Sequence, residues 1–290
     1  VISIVILSKD EPALGDTLSD VAKQAQDAGT SFEIVVVDAS DGRLDYVRKS
    51  HEEQVRWVQF QQPPGVKVSI AHQRNAGVRA AHGEIIVFTD AGCRPQAGWL
   101  THLLAPFQLG EHVTAGLVRS VSGDSGVYDA WTQPVQASSY VFECGSGNLA
   151  FRRAAFEAVG EFDEAFSYGS DVDFSWRLVD AGYRIRSVPD AIIHHDYGTW
   201  RRQLRRSYVY GKARTRLYRK HPARIRQILR KDPMVVVYPV FLLGLPLTFI
   251  FPLYPALLLI PAWRNRAQGS VKVVVDHLTF GAGVLAELVR

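Results

Sequence analysis

At 290 residues the chain can hold one large domain or two, and 47% hydrophobic with 21% charged residues excludes a disordered or fibrous protein. The net charge of +4 is local: residues 201–231 carry 13 Lys/Arg and no Asp/Glu, so the remainder holds 20 basic against 29 acidic residues and offers no general nucleic-acid surface. Cys93 and Cys144 are the two cysteines, and their spacing excludes a disulfide framework or a zinc site and suits a reducing compartment.

The first 90 residues alternate between strand and helix patterns. Val1–Leu7, Glu33–Val37, Val55–Phe60 and Glu84–Thr89 are β-branched or apolar runs. Helical patterns lie between them at 12–28, 43–51 and 69–82, punctuated by Gly29, Gly65 and Gly83. Val1–Leu7 has no basic flank and reads as a strand, not a secretory leader. Such alternation predicts a mostly parallel sheet with covering helices. Ser8-Lys-Asp-Glu-Pro12 follows the first strand, so a glycine cradle for a dinucleotide is missing there. The fourth run stops on Asp90, which places a carboxylate at the C-terminal edge of the sheet, where ligands bind in open α/β folds. That acid suits a divalent metal on a phosphate; a turn beside Gly92 is the alternative.

From residue 97 the pattern is mixed. A helix is expected from Trp99 to Phe107 and a strand over Val113–Ser120, followed by a Gly/Ser-rich stretch at 121–145 that suits a mobile loop or lid. Asn148–Phe151, a short helix from Arg153, a helix from Asp171 to Ala181 closed by Gly182, and a strand over Tyr183–Val188 complete this region. Residues 199–220 read as a basic helix with Leu204, Tyr208, Thr215 and Tyr218 on one face, and a second basic helix runs from Pro222 to Lys231. Met234–Ala262 then holds 29 residues without a charge. One straight helix of that length would run ~43 Å against ~30 Å of hydrocarbon. Pro239, Pro246, Pro252, Pro255 and Pro261 break it, so a kinked span, a hairpin of two short helices or a re-entrant segment is expected. An amphipathic tail begins at Val271. The basic run beside this element suits anionic membrane lipids and places its side in the cytoplasm.

Seven short motifs occur in a recognisable order. They are Ser3-Ile-Val-Ile-Leu-Ser-Lys-Asp-Glu11, Ile34-Val-Val-Val-Asp-Ala-Ser40, Arg74-Asn75 ahead of Gly83-Glu84, Phe88-Thr-Asp-Ala-Gly-Cys93 with Gly98-Trp-Leu100, Gly147-Asn-Leu-Ala-Phe-Arg-Arg153, Val159-Gly-Glu-Phe-Asp163, and Gly169-Ser-Asp-Val-Asp173 with Ala181-Gly-Tyr183. Together they resemble family 2 glycosyltransferases, of the membrane-associated bacterial type, over residues 1–183. The resemblance implies a GT-A (Rossmann-like) fold, a nucleotide-sugar donor and inversion at the transferred sugar. The expected organisation is a GT-A domain over 1–198, with a donor half to residue 95 and an acceptor half from 96, then basic interfacial helices at 199–232 and a membrane-associated region at 233–290.

Sugar transfer from a nucleoside diphosphate needs charge neutralisation at the leaving group and a base for the acceptor hydroxyl. The resemblance implies Asp90 as donor and metal ligand, with His195 closing a site for Mg2+ or Mn2+; His194 faces the other way along its strand. Ordinary packing is the alternative for this histidine pair. It also implies Asp38, Ser8 and Glu11 on the base or ribose and Arg74 on the base or phosphates. For Asp38 an Asx-turn with Ser40 is the alternative. Asp171 is the implied general base, and a helix cap is compatible with that role. Gly147, Asn148 and Trp176 are expected to frame the acceptor pocket, or for Trp176 simply to pack in the core. Ala39, Gly92 and Ser170 stand where the family commonly has acids. The expected acceptor is a lipid-linked saccharide or another glycan precursor. A processive polysaccharide synthase and a non-catalytic nucleotide-sugar-binding scaffold are the rivals.

Overall fold

The computed structural model describes residues 1–66, 69–121 and 139–290. The four apolar runs become β1 (Ile2–Ser8), β2 (Phe32–Asp38), β3 (Val55–Gln59) and β4 (Ile85–Asp90), with α1 (Leu14–Asp27), α2 (Asp45–Ser50) and α3 (Ile70–Ala80) between them. β1 pairs in parallel with both β2 and β4, and β2 with β3. Side chains alternate cleanly across this sheet. Ile4, Ile6, Ile34 and Val36 face α1 and α4 (Trp99–Gln108), burying Leu14, Leu18, Trp99 and Leu103. Val5, Leu7, Val35 and Val37 face the opposite layer, where Ala71 and Val78 of α3 pack.

Past β4 the sheet turns antiparallel. β5 (Arg94–Pro95), β6 (Val113–Ser120), β7 (Tyr140–Val141), β8 (Asn148–Arg152) and β9 (Ile185–His195) extend it, giving the order β3-β2-β1-β4-β8-β6-β9-β5, with β7 also on β9. The parallel expectation therefore holds for the first half, and an antiparallel extension carries the second. α5 (Arg153–Val159) and α6 (Ser170–Asp180) cover it, and Phe162 and Phe174 pack with ring centroids 4.4 Å apart. Arg153 joins the halves: its guanidinium donates to the carbonyls of Val78, Ala81 and Gly83, satisfying the end of α3. The lid expected at 121–145 lies, for residues 122–138, outside the described residues.

A second compact unit is helical and spans 197–290 among the described residues. It holds α7 (Trp200–Lys220), a 3-10 segment (Pro222–Gln227), α8 (Ile228–Lys231), α9 (Met234–Leu243), two further 3-10 segments (Leu245–Phe249 and Tyr254–Leu258), α10 (Leu259–Arg264) and α11 (Ser270–Leu288). α7 and α11 cross so closely that a methyl on Gly211 would strike the Phe280 carbonyl, and one on Gly283 the Tyr208 carbonyl. Beside this crossing Ser207 donates to the buried Asp276 carboxylate, and Glu287 accepts from Arg216 at 2.7 and 3.2 Å. The buried residues of α7 are Gln203, Ser207, Gly211, Ala213, Thr215, Leu217 and Tyr218. Of the expected face, Thr215 and Tyr218 are buried, whereas Tyr208 is exposed. Polar partners on α11 join apolar Ala213 and Leu217 in deciding which side turns inward. No helix among the described residues is long and apolar enough to cross a membrane.

Candidate active site

Three strand ends bring chemistry to one edge. Ser8 sits in register with Asp38, and Leu7 with Asp90, so Ser8, Asp38 and Asp90 line the C-terminal rim of β1, β2 and β4. Asp38 is 1% exposed, and its Oδ1 accepts from the Ser40 N–H at 3.2 Å and the Ser40 hydroxyl at 2.5 Å. The Asx-turn is therefore real and occupies one carboxylate oxygen. Burial pushes the Asp38 carboxyl above its ordinary value, with the Ser40 and Ser8 hydroxyls working against that rise. The Ser8 hydroxyl is buried beside the Asp38 carboxylate at this edge.

Glu11 stands over the turn that follows Asp90. Gly92 adopts φ +85°, a conformation costly for other residues, and a methyl there would lie 3.3 Å from the Glu11 Cδ. The space a second acid would fill in that loop is occupied by the Glu11 carboxylate, whose Oε1 also accepts from the Ala13 N–H at 3.2 Å.

A second group of residues assembles from distant motifs. Asn75 exchanges two hydrogen bonds with the Phe162 backbone, both 2.9 Å, which docks α3 on the loop leading to α6. Arg74, one residue before, is buried; its Nη1 donates to Ser170 Oγ at 2.7 Å and its Nη2 lies 3.7 Å from Asp171 Oδ2. Its Nε is buried without a hydrogen-bond partner among the described residues. Asp171 lies in the first turn of α6, after Gly169 in the left-handed conformation, where the helix dipole favours a carboxylate. Its Oδ2 also accepts from the Ser146 N–H at 3.3 Å.

Asp90 faces this group. A methyl on Gly147 would come within 3.1 Å of Asp90 Oδ2, so backbone and carboxylate touch there. Burial drives the Asp90 carboxyl above its ordinary value; the positive fields of Arg74 and His195 oppose this, and Asp171 adds to it. Asp90, Arg74, Asp171 and His195 thus share one electrostatic neighbourhood. Among the described residues no cluster of three or more His, Cys, Asp or Glu side chains is arranged to hold a metal. Asp90 with His195 offers two side chains, a number that fits Mg2+ or Mn2+ completing its shell with substrate phosphates and water.

Two of the residues expected at the acceptor pocket are engaged within the protein. The Asn148 amide donates to the carbonyls of Leu117 at 3.0 Å and Ala191 at 2.8 Å and accepts from Trp99 Nε1 at 2.8 Å. With both N–H groups and the oxygen engaged, it ties β8 to its neighbours instead of reaching a substrate. Trp176 is 1% exposed, in keeping with the core-packing alternative. Its indole N–H holds Glu143 Oε2 at 3.0 Å, a carboxylate three residues before Ser146 in the chain. Glu143 and Ser146 escape sequence reasoning because neither stands in a motif. Ser170, read as a missing acid, is the anchor of Arg74.

The Glycosyl transferase family 2 model matches residues 3–160, and the Glycosyl transferase family group 2 model matches residues 93–280. The chain belongs to glycosyl transferase family 2. Among curated family 2 relatives, the Pre-mycofactocin glycosyltransferase of Mycobacterium tuberculosis is 34% identical over 166 residues, covering 52% of this chain and 35% of that protein. Glycosyltransferase AglE of Haloferax volcanii is 27% identical over 152 residues, covering 50% of each. The chain thus spans half or less of the length of these two relatives. A solved structure, the mannosyltransferase PcManGT from Pyrobaculum calidifontis in complex with GDP-Man and Mn2+, superposes with a TM-score of 0.66 at 17% identity, over 96% of this chain and 86% of that one. That likeness is one of fold, and with it the GT-A arrangement of this family 2 chain is established.

Proposed function

We propose that the chain is an inverting glycosyltransferase that moves a sugar from a nucleotide-sugar donor to a hydroxyl of a lipid-linked saccharide or other glycan precursor, at the cytoplasmic face of the cell membrane. The carrying observation is the meeting of Asp171 with Arg74 in the electrostatic field of Asp90: a proton acceptor, a cation and a strand-end carboxylate in one place. Asp38, Ser8 and Glu11 would hold base and ribose along the strand edge. Asp90 and His195 would hold a divalent cation, which supplies neutralisation of the leaving diphosphate.

Asp171 takes the acceptor proton as the acceptor oxygen bonds to the anomeric carbon from the face opposite the diphosphate. The bond from that carbon to the phosphate oxygen breaks, and the nucleoside diphosphate leaves. The Ser146 N–H fixes the carboxylate for this step, and Arg74, held by Ser170, balances negative charge between base and donor. The charge-free stretch from Met234 and its basic flank support attachment to anionic lipids.

Replacing Asp171 with Asn keeps size and removes the base. Transfer is expected to fall about 10²–10⁴-fold, with donor binding by calorimetry nearly unchanged. Near-normal turnover in the folded variant would overturn the assignment. Binding of UDP or GDP sugars with Mn2+ but no transfer by the unaltered chain would favour a non-catalytic scaffold.

A further inference from the structure

The 29 charge-free residues fold back on themselves. Tyr254 returns onto α9: its ring stacks on Phe241 with centroids 5.1 Å apart, and its hydroxyl donates to the Phe241 carbonyl at 3.0 Å. One leg is α9 with the 3-10 segment Leu245–Phe249; the other is Tyr254–Leu258 with α10. Between them the chain turns at Phe251–Leu253. Exposure is greatest at this turn, where Phe249 is 93% and Leu253 83% exposed. Near the base, Tyr238 and Phe241 are buried, and Tyr238 hydrogen-bonds His277 of α11 at 2.9 Å.

We infer that this hairpin enters the bilayer and returns to the same side, with Phe249–Leu253 at its deepest point. The inference rests on the proposed membrane attachment and adds its topology. Three observations carry it. Arg226, Arg230 and Lys231 precede the hairpin and Arg264 and Arg266 follow it, so both ends carry charges that stay on one face with anionic headgroups. Trp263 sits at the exit with the Arg266 guanidinium 4.7 Å from its ring, a pairing suited to the headgroup layer. The legs are also too short: ten α-helical and five 3-10 residues reach about 25 Å, and the return leg about 19 Å, against about 30 Å of hydrocarbon.

The unaltered chain supplies its own test, because no Lys or Arg lies between Lys231 and Arg264. Whole protein is bound to preformed vesicles containing phosphatidylglycerol, and trypsin is added outside. Cleavage at both flanks, with fragment 232–264 remaining on floated vesicles, is the expected result. Cleavage at one flank only would mean that the segment crosses, and release of the fragment would mean that it does not insert; either overturns the inference. A Leu253→Cys variant gives a second reading, taken on the tryptic fragment 232–264, which holds no other cysteine: an impermeant maleimide, outside or trapped in the lumen, should modify it only after detergent is added. Labelling from either side of intact vesicles contradicts the topology. Glycosyl transfer is assayed separately on the same vesicles, so absent activity with the expected fragment counts against the enzyme reading alone.

Discussion

Asp38 illustrates a residue kept at a cost to the fold. Its carboxyl titrates above the ordinary value because water is excluded, so the charged form is disfavoured in the folded chain. For an acid shifted upward, the relative stability is present at low pH and is lost as pH rises through the folded value. Asp38→Asn is therefore expected to raise the unfolding midpoint at pH 7, with the advantage closing as pH falls towards about 4, while donor affinity drops. A lower midpoint at pH 7 together with unaltered donor affinity would show the carboxylate to be structural. At this scale the acids at strand ends were legible, because a continuous β-branched or apolar run that stops on Asp defines both strand and edge. Asn148 was not legible: its amide has the same chemistry whether it meets a sugar or, as here, the carbonyls of Leu117 and Ala191.

Between elements, close approach matters more than propensity. At Gly283 a replacement by Ala would gain up to about 1 kcal/mol of helix preference, yet its methyl would be driven into the Tyr208 carbonyl on α7. Overpacking of this kind costs about 1–3 kcal/mol, so the net sign is destabilising. Gly283→Ala should lower the denaturation midpoint of the helical unit, whereas substitution of exposed Val271 by Ala on the same helix should not. The strands and helices of the first 90 residues emerge within two residues of the sequence reading, since each has its own periodic apolar face. The inward face of α7 was misjudged for a physical reason. Its interface is built from Ser207, Gly211 and Arg216 against Asp276, Phe280 and Glu287, and hydrophobic spacing does not report such pairs.

For the molecule as a whole, the basic run divides into two groups. Lys212, Arg214 and Arg216 have carboxylate partners within the helical unit, Glu287 or Asp232. Arg226 and Arg230 are exposed beside the hairpin, and on the proposed membrane attachment they are the charges that would meet lipid. Arg226→Gln with Arg230→Gln should weaken binding to phosphatidylglycerol vesicles about thirtyfold, near 1 kcal/mol per charge, and leave binding to neutral vesicles unchanged. Equal loss on both vesicle types would remove the electrostatic account. Composition located this charge correctly, but only the fold separates paired from available cations.

The contacts that make the active site also set when it can exist. Arg74 meets Ser170 across 96 residues, and Asn75 meets Phe162 across 87, whereas the pairing of β1 with β2 spans about a third of that separation. Loop closure over such distances is slow and comes before any contact repays it. During synthesis the first 90 residues can form their parallel sheet while Asp171 is still to be made. On the proposed roles, the strand edge assigned to the donor lies in the part of the chain made first, and Asp171 joins it only when the chain beyond residue 162 closes over α3.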